Sequence, residues 1–447
     1  MKTDKKDFYK TLLMIAVPVA MQNLITASLN MVDTVMIGKL GENALEAVGI
    51  ANQLFFLFNL VCFGICSGGS IFIAQYWGRK DIARIRSAMG FILSAVVLCS
   101  SFFSLIAVFF PGIVMQAFRA DEEVTRLGVG YLRIVGFSYI VTACTFAYSF
   151  SSRSVQKAAM PMLISAAALL INAILNYILI FGKLGFEPMG VRGAAMGTLV
   201  ARFFEFFLMS FMIYASRSPL AGSFSELMSF DRAFMRRYKN TALPVVLNEI
   251  AWSAGIVMYS VAYSRIGKSA IAAVQVSNVV SNLFMVFSFG LANACGVMLG
   301  NKLGEGDTEE AVAYSGKFLR LTFVTGAFIG MMIYLSTPWI LGVFSVNESL
   351  TGSVRKMLTI KSAFLPLMTF NAALIVGILR SGGDTKYAMF LEMGSVWGIG
   401  VPMAFLGAVV LKLPIHLVML MISSEELFKT LVGVPRVLSR KWVKTLV

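Results

Sequence analysis

Charged side chains are scarce in this chain. Asp, Glu, Lys and Arg make up 14% of its 447 residues, against roughly 25% in soluble domains. A soluble chain of this length would have too few charges to cover its surface. Histidine occurs once, as His416, and cysteine five times, as Cys62, Cys66, Cys99, Cys144 and Cys295. Every cysteine falls in an apolar stretch, where it reads as a small buried hydrophobe, so neither a zinc site nor a disulfide framework is expected. A P-loop, a Gly-x-Ser-x-Gly elbow and a His-Glu-x-x-His motif are all missing, so the chain reads as neither ATP-driven nor an enzyme. Arg380-Ser-Gly-Gly-Asp-Thr385 has the composition of a phosphate cradle, but no strand precedes it, and it reads as a turn after a helix.

What the chain has instead is apolar length. Hydrophobic residues make up 58% and the mean hydropathy is +0.79. Apolar stretches of ~20 residues recur from end to end, each long enough to cross a hydrocarbon core about 30 Å thick. The pattern predicts helices over 11–37, 44–75, 87–110, 125–150, 159–181 and 190–215, then over 241–264, 269–299, 316–336, 351–379, 387–411 and 413–433. This is an all-α membrane protein of about twelve transmembrane helices. The charged start, Met1 to Lys10, lacks a small-residue cleavage site, and the first span is expected to direct insertion itself.

The formal net charge of +15 would suggest nucleic acid in a soluble protein. Here the basic residues mark inner loops. With both termini placed in the cytoplasm, about 25 basic residues fall inside and about 11 outside, leaving Arg133 and Arg202 within spans. A multi-pass protein of the cell inner or plasma membrane is expected, with no nucleic-acid partner and no obligate protein partner.

The chain repeats itself. Ile37 to Asn52, IGKLGENALEAVGIAN, resembles Tyr263 to Asn278, YSRIGKSAIAAVQVSN. Gly41 matches Gly267 at an offset of 226, which also pairs Pro18 with Pro244, Asn52 with Asn278, Gly64 with Gly290 and Asp81 with Asp307. One residue further, Arg153-Ser154 matches Arg380-Ser381. Shared hydrophobicity does not explain matched Pro, Asn, Gly and Asp. Six spans per half is even, so the two six-helix bundles are related by a parallel pseudo-two-fold axis. The polar segment Arg217 to Asn240 lies between them, and the expected lobes are 1–222 and 223–447.

Polar groups inside a bilayer are costly and mark candidate sites. On the first helix Gln22, Thr26, Asn30 and Asp33 form one stripe, which must face protein or a wet cavity. Asp33, ringed by apolar neighbours, can carry a proton or, with neutral oxygens around it, hold Na⁺. The fifth helix adds Asn172 and Asn176 on one face, and the sixth adds Thr198. On the seventh, Glu249 is the one acid, with Trp252 and Ser253 near its face. Asn278 and Asn282 share a face with Gln275 on the eighth. Arg202 and Glu205, three apart, read as a structural ion pair. Glu425 and Glu426 sit near Lys429 and read as interfacial.

Pro18, Gln22, Asp33-Thr34, Gly38, Ala44-Leu-Glu-Ala-Val-Gly49 and Gln75, Gly78, Asp81 together resemble the multidrug and toxic compound extrusion (MATE) family. So do Leu175-Asn176-Tyr-Ile-Leu-Ile-Phe-Gly182, Gly193-Ala-Ala195 and Leu379-Arg380-Ser-Gly-Gly-Asp-Thr385. The resemblance covers essentially the whole chain. It implies an antiporter coupled to H⁺ or Na⁺, with no other cofactor, exporting amphipathic and often cationic compounds by alternating access. It implies that Asp33 is the coupling acid, surrounded by Asn172, Asn176 and Thr198, with Gln22, Thr26, Asn30, Glu249, Trp252, Asn278 and Asn282 lining the substrate cavity. Some members carry Asp where this chain has Asn176, and some pair the acid at Glu249 with an Asp on the tenth helix. Here that helix reads Leu367-Met-Thr-Phe-Asn371, so Asp33 remains the principal coupling carboxylate. A lipid-linked oligosaccharide flippase of the same superfamily is the neighbouring alternative, and a passive channel is the alternative from another class.

Overall fold

The computed structural model describes residues 5–343 and 348–447. Among the described residues it is helical throughout, without strands. The first half contains α1 (Lys5–Gly38), α2 (Glu42–Gly78), α3 (Ile82–Phe109), α4 (Pro111–Ala117), α5 (Glu122–Val135), α6 (Ser138–Ser154), α7 (Ala159–Phe181) and α8 (Gly190–Ala215). A short α9 (Phe224–Leu227) leads to α10 (Arg232–Ser264), α11 (Lys268–Glu305), α12 (Thr308–Val343), α13 (Glu348–Ala372), α14 (Thr385–Ser395), α15 (Val401–Phe405) and α16 (Ile415–Leu438). Three wider π-helical stretches, Ala373–Arg380, Val396–Gly400 and Leu406–Val410, extend α13 and flank α15.

Among the described residues ten helices are long and apolar enough to cross a membrane, and α5 with α6, bent by 52°, counts as an eleventh if the pair is one span. The sequence pattern had one straight helix over 125–150. The break falls at Gly136, where an added Cβ would lie 2.8 Å from Ala107. The Gly136 carbonyl accepts a hydrogen bond from Ser104 Oγ at 2.9 Å instead of continuing the helical ladder. The twelfth position is α16, whose 24 residues include Glu425, Glu426 and Lys429. These charges pair inside the bundle, as described below, so apolarity alone does not mark it as a span.

The chain folds as two compact units. One comprises Met21–Ala242, the other Met1–Ala20 with Leu243–Val447. The expected boundary was 222/223, in the polar linker. The observed division instead runs through α1 and α10, each time within two residues of a helix-interior proline, Pro18 or Pro244. Proline removes one backbone hydrogen bond and makes a helix easiest to bend there.

Equivalent aromatics anchor the two exchanged segments. Phe8 packs edge-on against Phe318, with ring centroids 5.2 Å apart. At offset 226, Phe234 packs edge-on against Phe91 at 5.8 Å. Glycine lets the backbones close up at both places. A Cβ on Gly290 would lie 2.8 Å from the Ala16 carbonyl, and one on Gly68 would lie 2.5 Å from the Ala242 side chain.

Candidate functional site

The unit Met21–Ala242 brings together the residues expected around Asp33. Asn176 Nδ2 donates to Asp33 Oδ1 at 3.0 Å and lies 3.5 Å from Asn172 Oδ1. Asn172 Nδ2 in turn donates to Thr198 Oγ1 at 3.4 Å. Thr198 anchors this chain through its own hydrogen bond to the Ala194 carbonyl, 2.9 Å. The Asn pair is one helical turn apart on α7, and both amides are buried while Asp33 is half-buried.

Close packing of α7 on α8 makes this possible. Gly193 and Gly197 are one turn apart, as in small-xxx-small membrane helix contacts. A Cβ on Gly193 would lie 2.6 Å from the Leu179 carbonyl, and one on Gly197 would collide with Asn176 Oδ1. That oxygen is buried and accepts no hydrogen bond. Turning the amide over would present it to a cation beside Asp33. Among the described residues no three His, Cys, Asp or Glu side chains cluster, so a cation here would take one carboxylate plus neutral oxygens. Tyr131 was missed by the sequence reading. Its side chain hydrogen-bonds Thr198 and lies within electrostatic reach of Asp33 and Arg202.

The other members of the α1 stripe do different things. Gln22 belongs to a separate network. Its Oε1 accepts from Arg153 Nη2 at 2.7 Å and its Nε2 donates to Ser165 Oγ at 2.9 Å. Ser165 donates to Glu205 Oε1 at 2.7 Å, and Glu205 Oε2 holds Arg202 at 2.8 Å, the ion pair expected from their spacing. Thr26 turns its hydroxyl back onto the Gln22 carbonyl, 2.8 Å, and Asn30 is exposed.

In the other unit Glu249 is engaged. Arg380, 3% exposed, donates to Glu249 Oε1 at 2.7 Å and to Glu392 Oε2 at 3.1 Å. Asn248 Nδ2 also reaches Glu392 Oε2, at 2.5 Å. Arg153 and Arg380 had been left out of the spans, yet both are hubs of polar contacts, Arg380 buried and Arg153 half-buried; their repetition at offset 227 was the available signal. Glu425 and Glu426, expected near Lys429, are ion-paired with it. Lys429 Nζ binds Glu426 Oε1 at 2.8 Å and Glu425 Oε1 at 3.4 Å. Tyr259 donates to Glu425 Oε2 at 2.5 Å, and Asn371 Nδ2 donates to Glu426 Oε2 at 2.8 Å. Charges paired this way meet one another rather than lipid.

Trp252 packs half-buried against the core of this unit. Asn282 is exposed, and Asn278 Oδ1 accepts from Lys361 Nζ at 2.8 Å. The span count had missed Lys361, which lies inside the apolar segment Thr351–Arg380.

The family model described as MatE matches the chain twice, over residues 18–178 and 244–406. The chain belongs to the MatE family. The two matches begin at Pro18 and Pro244, in step with the internal repeat. A MatE relative from Thermotoga maritima, named probable multidrug resistance protein NorM, is 23% identical over 99% of this chain and 95% of its own. Probable multidrug resistance protein YoeA of Bacillus subtilis is 24% identical, covering 90% of this chain and 88% of its own length. In fold, the chain is similar to a MOP superfamily transporter from Pyrococcus furiosus, with a TM-score of 0.88, 20% identity, and coverage of 98% of this chain and 97% of the other.

Proposed function

We propose that this protein is a cation-driven antiporter of the cell membrane that exports amphipathic small molecules, with Asp33 as its coupling group. The observation that carries this reading is the Asn176–Asp33 hydrogen bond, 3.0 Å, on an apolar helix beside Asn172 and Thr198. A half-buried carboxylate braced by neutral amides can exchange a proton or Na⁺ without unfolding its surroundings. The printed names of its relatives, probable multidrug resistance proteins, support amphipathic drugs and toxins as the cargo.

The cycle needs the cation and the cargo to favour different states. Cation arriving from outside neutralises Asp33, cargo leaves, and the neutral form returns to face the cytoplasm, where both termini lie. One charge imported through ~100 mV supplies about 2.3 kcal/mol, a gradient of roughly 50-fold for a neutral cargo.

Dye efflux from proteoliposomes, with pH and Na⁺ gradients imposed separately, tests the reading. Asp33→Asn is expected to abolish gradient-driven efflux while the protein stays folded by thermal melt. Efflux at the wild-type rate from purified Asp33→Asn protein would rule the mechanism out.

A further inference from the structure

Lys361 is the odd cation of the unit containing Leu243–Val447. Among the described residues, the intramembrane carboxylates of this unit are Glu249, Glu392, Glu425 and Glu426. Arg380 takes the first two and Lys429 the others. No ion pair within 4.0 Å is left for Lys361. Its partner is the neutral amide oxygen of Asn278, at 2.8 Å.

Lys361 lies about ten residues inside the apolar segment Thr351–Arg380, ~15 Å at the helical rise. Asn278 lies about ten residues into α11, before the apolar stretch Phe284–Glu305 of that helix. The ammonium is held there by the Asn278 amide oxygen. On its own helix its neighbours one turn away are Met357, Leu358 and Leu365, all at most 1% exposed. An ammonium so placed has lost most of its hydration and keeps two of its three donors for other partners.

The face that holds it is polar. Gln275 and Asn282, one turn either side of Asn278, are exposed, while Lys361 and Asn278 are half-buried. A lipid-facing surface would not carry Gln, Asn, Asn and Lys together, so this face meets water. Trp252, Phe284 and Met285 pack half-buried against the same core and supply apolar surface in this unit.

The geometry points to Lys361, positioned by Asn278, as a recognition site for the anionic group of an amphipathic solute, a carboxylate or a phosphate monoanion. This rests on the export reading above and extends its cargo from cationic to acidic and zwitterionic amphiphiles. An anion placed there gives Lys361 a charged partner, as the carboxylates do for Arg380 and Lys429. It can bind one to two of the free ammonium donors with charge assistance.

The test is equilibrium binding, by fluorescence anisotropy, of a rhodamine carboxylic acid and its ethyl ester to purified full-length protein in non-ionic detergent. Wild-type protein is expected to bind the acid about ten-fold more tightly than the ester. Lys361→Met is expected to erase that ratio and Lys361→Arg to keep it. Lys361→Gln serves if the Met variant does not fold. An acid-to-ester ratio that is the same in wild type and Lys361→Met, or close to one in wild type, overturns the site. Displacement of the acid by added phosphatidylglycerol from wild type alone would support the site with a lipid phosphate as its anion. Because binding is read without a gradient, its failure is distinct from failure of the export reading, which would appear as absence of driven efflux for every dye.

Discussion

The two units lay the same polar scaffold on the same helices and load it with different charge. In one, Arg153 meets the neutral amide of Gln22 at 2.7 Å, and Ser165 passes the contact on to Glu205. In the other, the offsets of 226 and 227 put Asn248 where Gln22 stands and Glu392 where Ser165 stands. Arg380 there meets two carboxylates, Glu249 and Glu392. The position proposed for coupling is also rewritten. Asp33 corresponds to Tyr259 and Thr198 to Glu425, so the acid that sits on α1 in one unit sits on α16 in the other, facing a tyrosine at 2.5 Å. The repeat therefore preserves places for polar groups rather than identities. Asp33 is braced by the amide of Asn176, while the carboxylates of the other unit are committed to Arg380 and Lys429.

Removing the two arginines should separate the units most sharply. Arg380→Met strands two half-buried carboxylates and is expected to cost about 3–5 kcal/mol, whereas Arg153→Met strands an amide and costs about 1–2 kcal/mol. Thermal melts of the two variants in detergent check this, and equal losses would mean that the charge difference is energetically idle. Next in size is Gly197→Ala. Its Cβ collides with Asn176 Oδ1, which should cost about 1–3 kcal/mol and pull the amide off Asp33. Driven efflux should fall roughly ten-fold, judged by the free energy needed to hold the amide in place. Gly394→Ala, which meets open space, is the control.

Tyr259→Phe should cost about 1 kcal/mol, the worth of one hydrogen bond, and leave driven efflux intact if the exchanged acid is structural. Loss of efflux in this variant would place coupling in both units. The smallest effect lies in the linker. The Ser223 backbone N–H, 2.7 Å away, holds Glu226 below the usual carboxylate range, with Arg86 assisting. The Phe234 N–H at 2.6 Å does the same for Asp231. A depressed carboxylate adds stability above its unfolded pKa, near 4, and loses it as pH falls through the folded value. Hydrogen exchange over 223–235, corrected for intrinsic rate, should therefore quicken between pH 6 and pH 3.5, and unchanged protection would contradict it.

Much of this was legible in the sequence because it rests on periodicity. Asn172 and Asn176 were read from their one-turn spacing on an apolar helix, the family resemblance implied that they and Thr198 surround Asp33, and the structure brings those four together. What stayed hidden depends on pairing between distant segments. Glu392 and Lys361 carry no local sign of their partners, and Lys361 was absorbed into an apolar window. Tyr259 escaped because a repeat read by identity does not match tyrosine to aspartate. Gln22 was read with the Asp33 stripe because it shares a helix face, but Arg153 and Ser165 claim it. The exchanged segments were invisible because a polar linker marks where a chain is flexible, not which helices pack together.

That exchange bears on how the protein is made. Phe8 is translated some three hundred residues before Phe318, against which it packs. The helical turns around Phe8 cannot complete that packing until synthesis is well into the second half. Phe234 likewise closes the earlier bundle only after the linker has emerged. Severing the gene at 222/223 would thus yield two fragments, each holding a strip of the other's bundle, and activity should return only when both are produced in the same membrane.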